Sequence, residues 1–286
     1  MGALKAVKSD HPTVIFMHNL DSLLEIMALL RHPTKGCPWD LAQTYETIAP
    51  HTVEEAYEVA DAIEQKDFEN LKDELGDLLF QIIFYCQLSN EKCGFGFTDV
   101  VDAICDKMIR RHPNIFRKNS PQHGEGSSND LSWEAIKAQE RIDKNRNSTQ
   151  VREISVLDDI VWSLPSLSIA IKLQRRASVI GFDWSEITPV IKKIAEELHE
   201  LEIEINSKVS QEKIEEEMGD LLFACSNLAR HLDLNPEMAL RKANRKFERR
   251  FRKVENLTKK SEGEPTTNIL DKMQAYWEQV KLEEKD

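Results

Sequence analysis

Along this chain apolar residues recur every three or four positions, and no stretch keeps up the strict alternation of a strand. That period predicts helices at about 19–32, 52–65, 68–90, 98–111 and 131–145 in the first half. The second half reads as helices at about 154–179, 187–206, 210–232, 235–254 and 269–283. The expected fold is therefore all-α. Residues 118–130 are too rich in Ser, Gly, Asn and Pro to hold a helix and read as a mobile loop. The polar stretch 145–152 is the better linker, which divides the chain into domains at 1–147 and 148–286. A second polar stretch with Gly263 and Pro265 sets off a C-terminal tail that carries Trp277.

The two halves repeat each other. Glu54, Glu55 and Glu58 recur as Glu196, Glu197 and Glu200, 142 positions on, and Glu74 and Asp77 recur as Glu217 and Asp220, 143 positions on. In both copies the later pair opens a helix that then turns almost wholly apolar: Leu75, Leu78, Leu79 and Phe80 in one, Met218, Leu221, Leu222 and Phe223 in the other. A helix apolar on most sides is central in a bundle, so its acidic first turn is held beside a neighbouring helix.

Residues three apart on a helix share a face, and antiparallel packing of two such helices brings four carboxylates into one place. Two like charges ~4 Å apart cost on the order of 4 kcal/mol at an effective dielectric of about 20. A cation relieves that cost, and an all-oxygen donor set suits Mg²⁺, with Mn²⁺ as a substitute, over zinc or copper. The competing reading is a solvated acidic face, since helix first turns favour acids in any case. Repetition of both pairs beside an apolar stripe favours the metal. Glu196 and His199 have the spacing of a di-iron ligand pair, but such a site needs two copies and the first repeat has Tyr57 at that place. Gly76 and Gly219 interrupt these helices, which points either to close approach of another backbone or ligand or to a helix-packing contact.

Charge narrows the partners. The net charge of −12 argues against a nucleic-acid or membrane surface, so a phosphate-bearing ligand needs local cations or a bound ion. Such cations are present: Lys107, Arg110 and Arg111 in the first half, and Lys246, Arg249 and Arg250 in the second. Lys193 and Lys213 each stand one turn before an acid of the second repeat, where the first repeat has His51 and Asn70. The second half is thus better equipped for a polyphosphate. The Gly94-Phe95-Gly96 run is a turn and not a phosphate loop. Five cysteines without metal or disulfide spacing read as reduced core thiols, and no signal peptide, myristoylation signal or 18-residue apolar run is evident, so a cytoplasmic protein is expected.

The runs Gly36-Cys37-Pro38-Trp39-Asp40, Glu54-Glu55-x-x-Glu58, Glu74-Leu75-Gly76-Asp77 and Arg110-Arg111-His112-Pro113 resemble the MazG nucleoside triphosphate pyrophosphohydrolases. So do Gly181-Phe182-Asp183-Trp184, Glu216-Glu217-Met218-Gly219-Asp220 and the run from Ala243 to Phe251. The resemblance implies tandem MazG domains, a homodimer, and Mg²⁺-dependent cleavage of nucleoside triphosphates between the α and β phosphates; broad base specificity and house-cleaning of the nucleotide pool are expected beside it. It implies Glu197, Glu200, Glu217 and Asp220 as metal ligands, with Glu55, Glu58, Glu74 and Asp77 matching them in the first domain. Lys193, Lys213, Lys246, Arg249, Arg250 and Trp277 fall at its nucleotide contacts. Glu196 is the candidate base that orients water, unless it is a further ligand or a solvated acid. Trp277 either stacks on the base or anchors the tail, whereas Trp39, Trp184 and Asp40 read as packing and turn residues. Because His51 and Asn70 depart from the lysine places, activity is expected mainly in the second domain. The alternative is a non-catalytic helical module that senses nucleotide and metal.

Overall fold

The computed structural model describes residues 19–92, 94–116, 136, 139–140, 155–207, 210–260 and 269–284. Its elements are helices, and no strand occurs among the described residues. Packing divides the chain into two compact units, Met1–Ser127 and Ser128–Asp286. The loop expected over 118–130 and the linker expected over 145–152 lie outside the described residues, as does Cys93. Of the helix expected over 131–145 only Ile136, Gln139 and Glu140 are described, each helical.

The first unit contains α1 (Leu20–Leu30), α2 (Pro38–Ala42), α3 (Tyr45–Gln65), α4 (Phe68–Asn90), α5 (Phe97–Arg111) and α6 (Pro113–Phe116). Helix α3 starts well before the expected position. A reciprocal cap opens it: Thr47 N donates to Thr44 Oγ1 and Thr44 N donates to Thr47 Oγ1 at 2.8 Å, so Pro50 falls inside the second turn. Lys66, left-handed at φ 59°, ends α3, and Asp67 caps α4 by accepting from Asn70 N at 3.1 Å. So short a connection forces α3 and α4 to pack antiparallel along each other. Met27, Ile48, Ile83, Phe84 and Leu88 form the core between α1, α3 and α4. Arg31 ties this core to the helix ends. It grips Glu91 with two bonds of 2.8 Å, donates to the Asp40 carbonyl, and lies 5.3 Å from the Phe84 ring centre.

The second unit contains α7 (Ser166–Val179), α8 (Ile187–Ser207), α9 (Gln211–His231), α10 (Pro236–Lys260) and α11 (Ile269–Glu283). Helix α7 starts later than expected because Pro165 disfavours helical backbone in the residue before it, and residues 155–164 turn instead. Ser210 caps α9 by accepting from Lys213 N at 3.2 Å. Helices α8 and α9 pack closely, repeating the α3–α4 pair, and α7 lies against α9 and α10. Val190, Leu201, Ala224 and Val254 are buried here.

Two expectations need correction. A Cβ added to Gly76 or Gly219 meets nothing within 4 Å, so no contact inside either unit requires these glycines. Cys105 and Cys225 are exposed, and only Cys86 of the described cysteines is a buried core thiol.

Candidate active site

In the second unit α8 supplies Lys193, Glu196, Glu197 and Glu200, and α9 supplies Glu217 and Asp220. Carboxylate oxygens of Glu197, Glu217 and Asp220 lie within 4.8 Å of one another. Glu197 is buried and would be costly there alone, but Lys193 Nζ sits 2.8 Å from its Oε1 and 2.7 Å from Glu196 Oε1. These two hydrogen bonds push the Lys193 ammonium above its ordinary pKa, so it stays charged. Burial, then the charges of Glu200, Asp220 and Glu197, push the Glu217 carboxyl up. Glu200 therefore acts on the cluster through its field while standing outside the close triad.

The first unit repeats the arrangement with a different member outside. Glu55, Glu58 and Glu74 have oxygens within 4.8 Å of one another. Burial raises the Glu74 pKa, a hydrogen bond from Asn70 Nδ2 at 3.0 Å opposes that rise, and the charges of Glu58 and Asp77 add to it. No lysine stands where Lys193 does: His51 lies 3.5 Å from Glu54, and Gln81 Nε2 reaches Glu55 at 3.5 Å. In both units the donors are hard oxygens of like charge held close together, a set that fits a Mg²⁺ or Mn²⁺ ion.

The second unit has room beside its acids. A cavity of about 570 Å³ reaches Lys193, Glu197 and Asp220 and is walled elsewhere by Phe182, Trp184 and Phe223. Its volume is that of a site for a small molecule such as a nucleoside. Asp183, Asn227 and Arg230 also line it. Arg230 donates both Nη groups to Asp183, one at 2.9 Å, and its Nε to Asn227 Oδ1 at 3.0 Å. Burial pushes the Asp183 carboxyl up, but hydrogen bonds and charge from Arg230, with the charge of His231, outweigh it and leave the group below its usual range.

The 143-residue offset aligns two of these positions with the first unit. Its counterpart of Ala224 is Gln81 and its counterpart of Asn227 is Phe84, which is fully buried in the core. Larger side chains thus stand at the places where the second unit keeps space.

Comparison with known proteins places both units in one family. A family model described as the MazG nucleotide pyrophosphohydrolase domain matches residues 43–116 and 186–255. The nucleoside triphosphate pyrophosphohydrolase of Escherichia coli K12 is 50% identical over 272 residues, spanning 94% of this chain and 100% of the relative. The chain belongs to the MazG family. A further relative, the nucleoside triphosphate pyrophosphohydrolase/pyrophosphatase MazG of Thermotoga maritima, is 42% identical over 91% of this chain and 95% of its own length.

Both MazG matches cover an acidic helix pair, and each copy brings three of its four expected ligands close together. Of the expected nucleotide contacts, Lys193 lines the cavity, while Lys213, Lys246, Arg249, Arg250 and Trp277 do not. Arg249 and Arg250 bond to Glu284 at 3.0 and 2.7 Å, and Trp277 packs 5.3 Å from the Phe247 ring. Sequence reasoning gave no site role to Phe182, Asp183, Asn227 or Arg230 and read Trp184 as a packing or turn residue; all five line the cavity. The available signal was the Gly181-Phe182-Asp183-Trp184 run, whose aromatic residues follow a left-handed glycine at φ 87° and so stand just after a sharp turn.

Proposed function

We propose that the second unit hydrolyses nucleoside triphosphates between the α and β phosphates, releasing nucleoside monophosphate and pyrophosphate. The observation that carries this is the continuity of the 570 Å³ cavity with Lys193, Glu197 and Asp220, which places a nucleoside-sized space against an acid cluster. Glu197, Glu217 and Asp220, with Glu200 beside them, would hold Mg²⁺, with Mn²⁺ as a substitute. The bound ion supplies charge neutralisation for the phosphates and a more acidic water. Lys193 holds Glu196 and Glu197 in register and presents its charge where phosphate charge develops, and Glu196 orients the attacking water. Phe182, Trp184 and Phe223 offer apolar and aromatic surface to the base, and stacking of this kind tolerates many bases. Broad specificity of that sort suits clearance of unwanted nucleotides.

A homodimer is part of this reading. Ile191, Leu198 and Ile205 recur every seven residues along α8 and are each about half exposed, a seam that fits another helix. Leu222 and the open side of Gly219, three apart on α9, add to the uncovered surface. No described helix is long and apolar enough to cross a membrane, and we assign the protein to the cytoplasm.

For the first unit a second reading is favoured by Gln81 and Phe84. Its acids bind a divalent ion, and the larger side chains at 81 and 84 favour a non-catalytic, sensing module. The test is pyrophosphate release by the full chain with Mg²⁺ and a panel of nucleoside triphosphates. Glu197→Gln and Asp220→Asn are expected to lower it by about 10²–10³-fold, and Glu55→Gln to leave it unchanged. Release of orthophosphate alone would overturn the assignment.

A further inference from the structure

Helix α9 carries chemistry at both ends. Its early turns supply Glu217 and Asp220, and Arg230 stands ten residues beyond Asp220, about 15 Å along the axis. The Arg230 guanidinium is directed at protein partners. Both Nη groups donate to Asp183, Nη1 to Oδ2 at 2.9 Å, and Nε donates to Asn227 Oδ1 at 3.0 Å. Asp183 belongs to the turn that follows α7, and its Oδ1 also accepts from Trp184 N at 2.9 Å. His231 Nε2 lies 3.2 Å from the same oxygen. The Arg230 and Asp183 side chains are only 12% and 25% exposed, a setting in which a two-pronged guanidinium–carboxylate pair fixes geometry.

What the pair holds is aromatic. Phe182 and Trp184, the neighbours of Asp183 on either side, line the cavity and are both exposed. Side chains so exposed are not fixed by packing, so the anchored residue between them sets where the turn presents them. The first unit builds the same helix pair without this anchor. Counting from Gly36 and Gly181, its run has Pro38 at the place of Asp183. The 143-residue offset puts Gln87 and Leu88 at the places of Arg230 and His231.

We propose that Asp183 and Arg230 are positioning residues: they tie the 181–184 turn to the far end of α9 and so set where Phe182 and Trp184 meet the base of a nucleotide whose phosphates lie at the acids. The inference rests on the reading of the cavity as the nucleoside site. One helix then carries both the metal ligands and the anchor of the base platform, which fixes their separation. Loosening the anchor weakens hold on the base equally in the ground state and the transition state, so it raises KM and leaves kcat.

Removing one partner strands the other charge, so the test removes both. Asp183→Leu with Arg230→Met replaces the pair by apolar side chains and is expected to fold, as circular dichroism would show. With Mg²⁺ and ATP, the full-length double variant is expected to show a KM for pyrophosphate release raised roughly tenfold and a kcat within about twofold of wild type. Inorganic tripolyphosphate carries phosphates without a base, and its inhibition constant as a competitor is expected to be unchanged. Each single variant is expected to raise the KM for ATP about as much as the double, because the two residues act as one unit. A rise in the double variant of about a hundredfold, the product of the singles, would mean two separate contacts and overturns the proposal. An unchanged KM for ATP overturns it, and so does a loss of affinity shared by tripolyphosphate or a fall in kcat alone, which a merely structural role would produce. Failure of the double variant to fold overturns it too, because the pair would then belong to the fold and not to the base. Pyrophosphate from the wild type with an unaltered KM in the variants removes only this inference, whereas none from the wild type removes the proposed function as well.

Discussion

Filling the cavity with the first unit's own residue separates catalysis from stability. Asn227→Phe installs on α9 the side chain that Phe84 places at the matching position of α4, where it is fully buried. Burying a phenylalanine contributes about 1.5–3 kcal/mol. The change also removes the hydrogen bond from Arg230 to Asn227, worth about 1 kcal/mol, but Arg230 keeps both bonds to Asp183, so no buried charge is stranded. The net gain is about 0.5–2 kcal/mol, which raises the melting temperature by roughly 1–8 °C for a unit of this size. Pyrophosphate release is expected to fall by at least about a hundredfold, since the ring stands where the nucleoside would lie. Divalent binding measured by calorimetry is expected to persist, because Glu197, Glu217 and Asp220 are untouched. Inactivation with a higher melting temperature is the signature of a cavity kept open for function. Full activity in Asn227→Phe would refute the reasoning, and so would a melting temperature several degrees below wild type.

The same logic runs in reverse in the first unit: Phe84→Ala empties a packed site under Arg31 and is expected to cost about 3–5 kcal/mol in a denaturant titration, with a loss below 1 kcal/mol contradicting its place in the core. Leu198→Glu puts a charge into the exposed α8 seam and is expected to shift sedimentation from dimer to monomer, with an unchanged profile counting against that interface. Hydrogen bonds from Arg249 and Arg250 hold the Glu284 carboxyl down to about 2 from an ordinary 4.5. A depressed carboxylate stabilises the fold above the unfolded value and loses that effect as pH falls towards the folded one. The melting-temperature gap between wild type and Glu284→Gln is thus expected to be full at neutral pH and to narrow below pH 4.5, and a gap that widens on acidification would contradict the contact.

Period and repeat carried the reading of this chain a long way. The long helices and the pairing of acids on α3–α4 and α8–α9 follow from spacing alone, because side chains three apart on a helix share a face whatever surrounds them. Helix α2 escaped notice since five residues are too few to show a period. The early start of α3 rests on Thr44 and Thr47 capping each other, a signal weaker than the usual terminal glutamate. Which acid of each quartet stands apart, Asp77 or Glu200, depends on small rotations between packed helices that no local pattern encodes. The cavity was invisible for a related reason. Its walls run from Leu157 to Arg230, and what makes it is the small volume of Ala224 and Asn227, a property that matters only once α7 and α9 are packed.

The two tryptophans of the second unit considered above sit in opposite settings, and that gives the protein an optical handle. Trp184 forms part of the cavity wall and is 44% exposed, so its emission tracks what occupies the space, and a soluble quencher reaches it until something does. Trp277 is set against Phe247 between α10 and α11 and does not line the cavity. Trp39 and the 72%-exposed Trp162 also emit, so the signal that follows ligand entry is the difference between wild type and a Trp184→Phe chain.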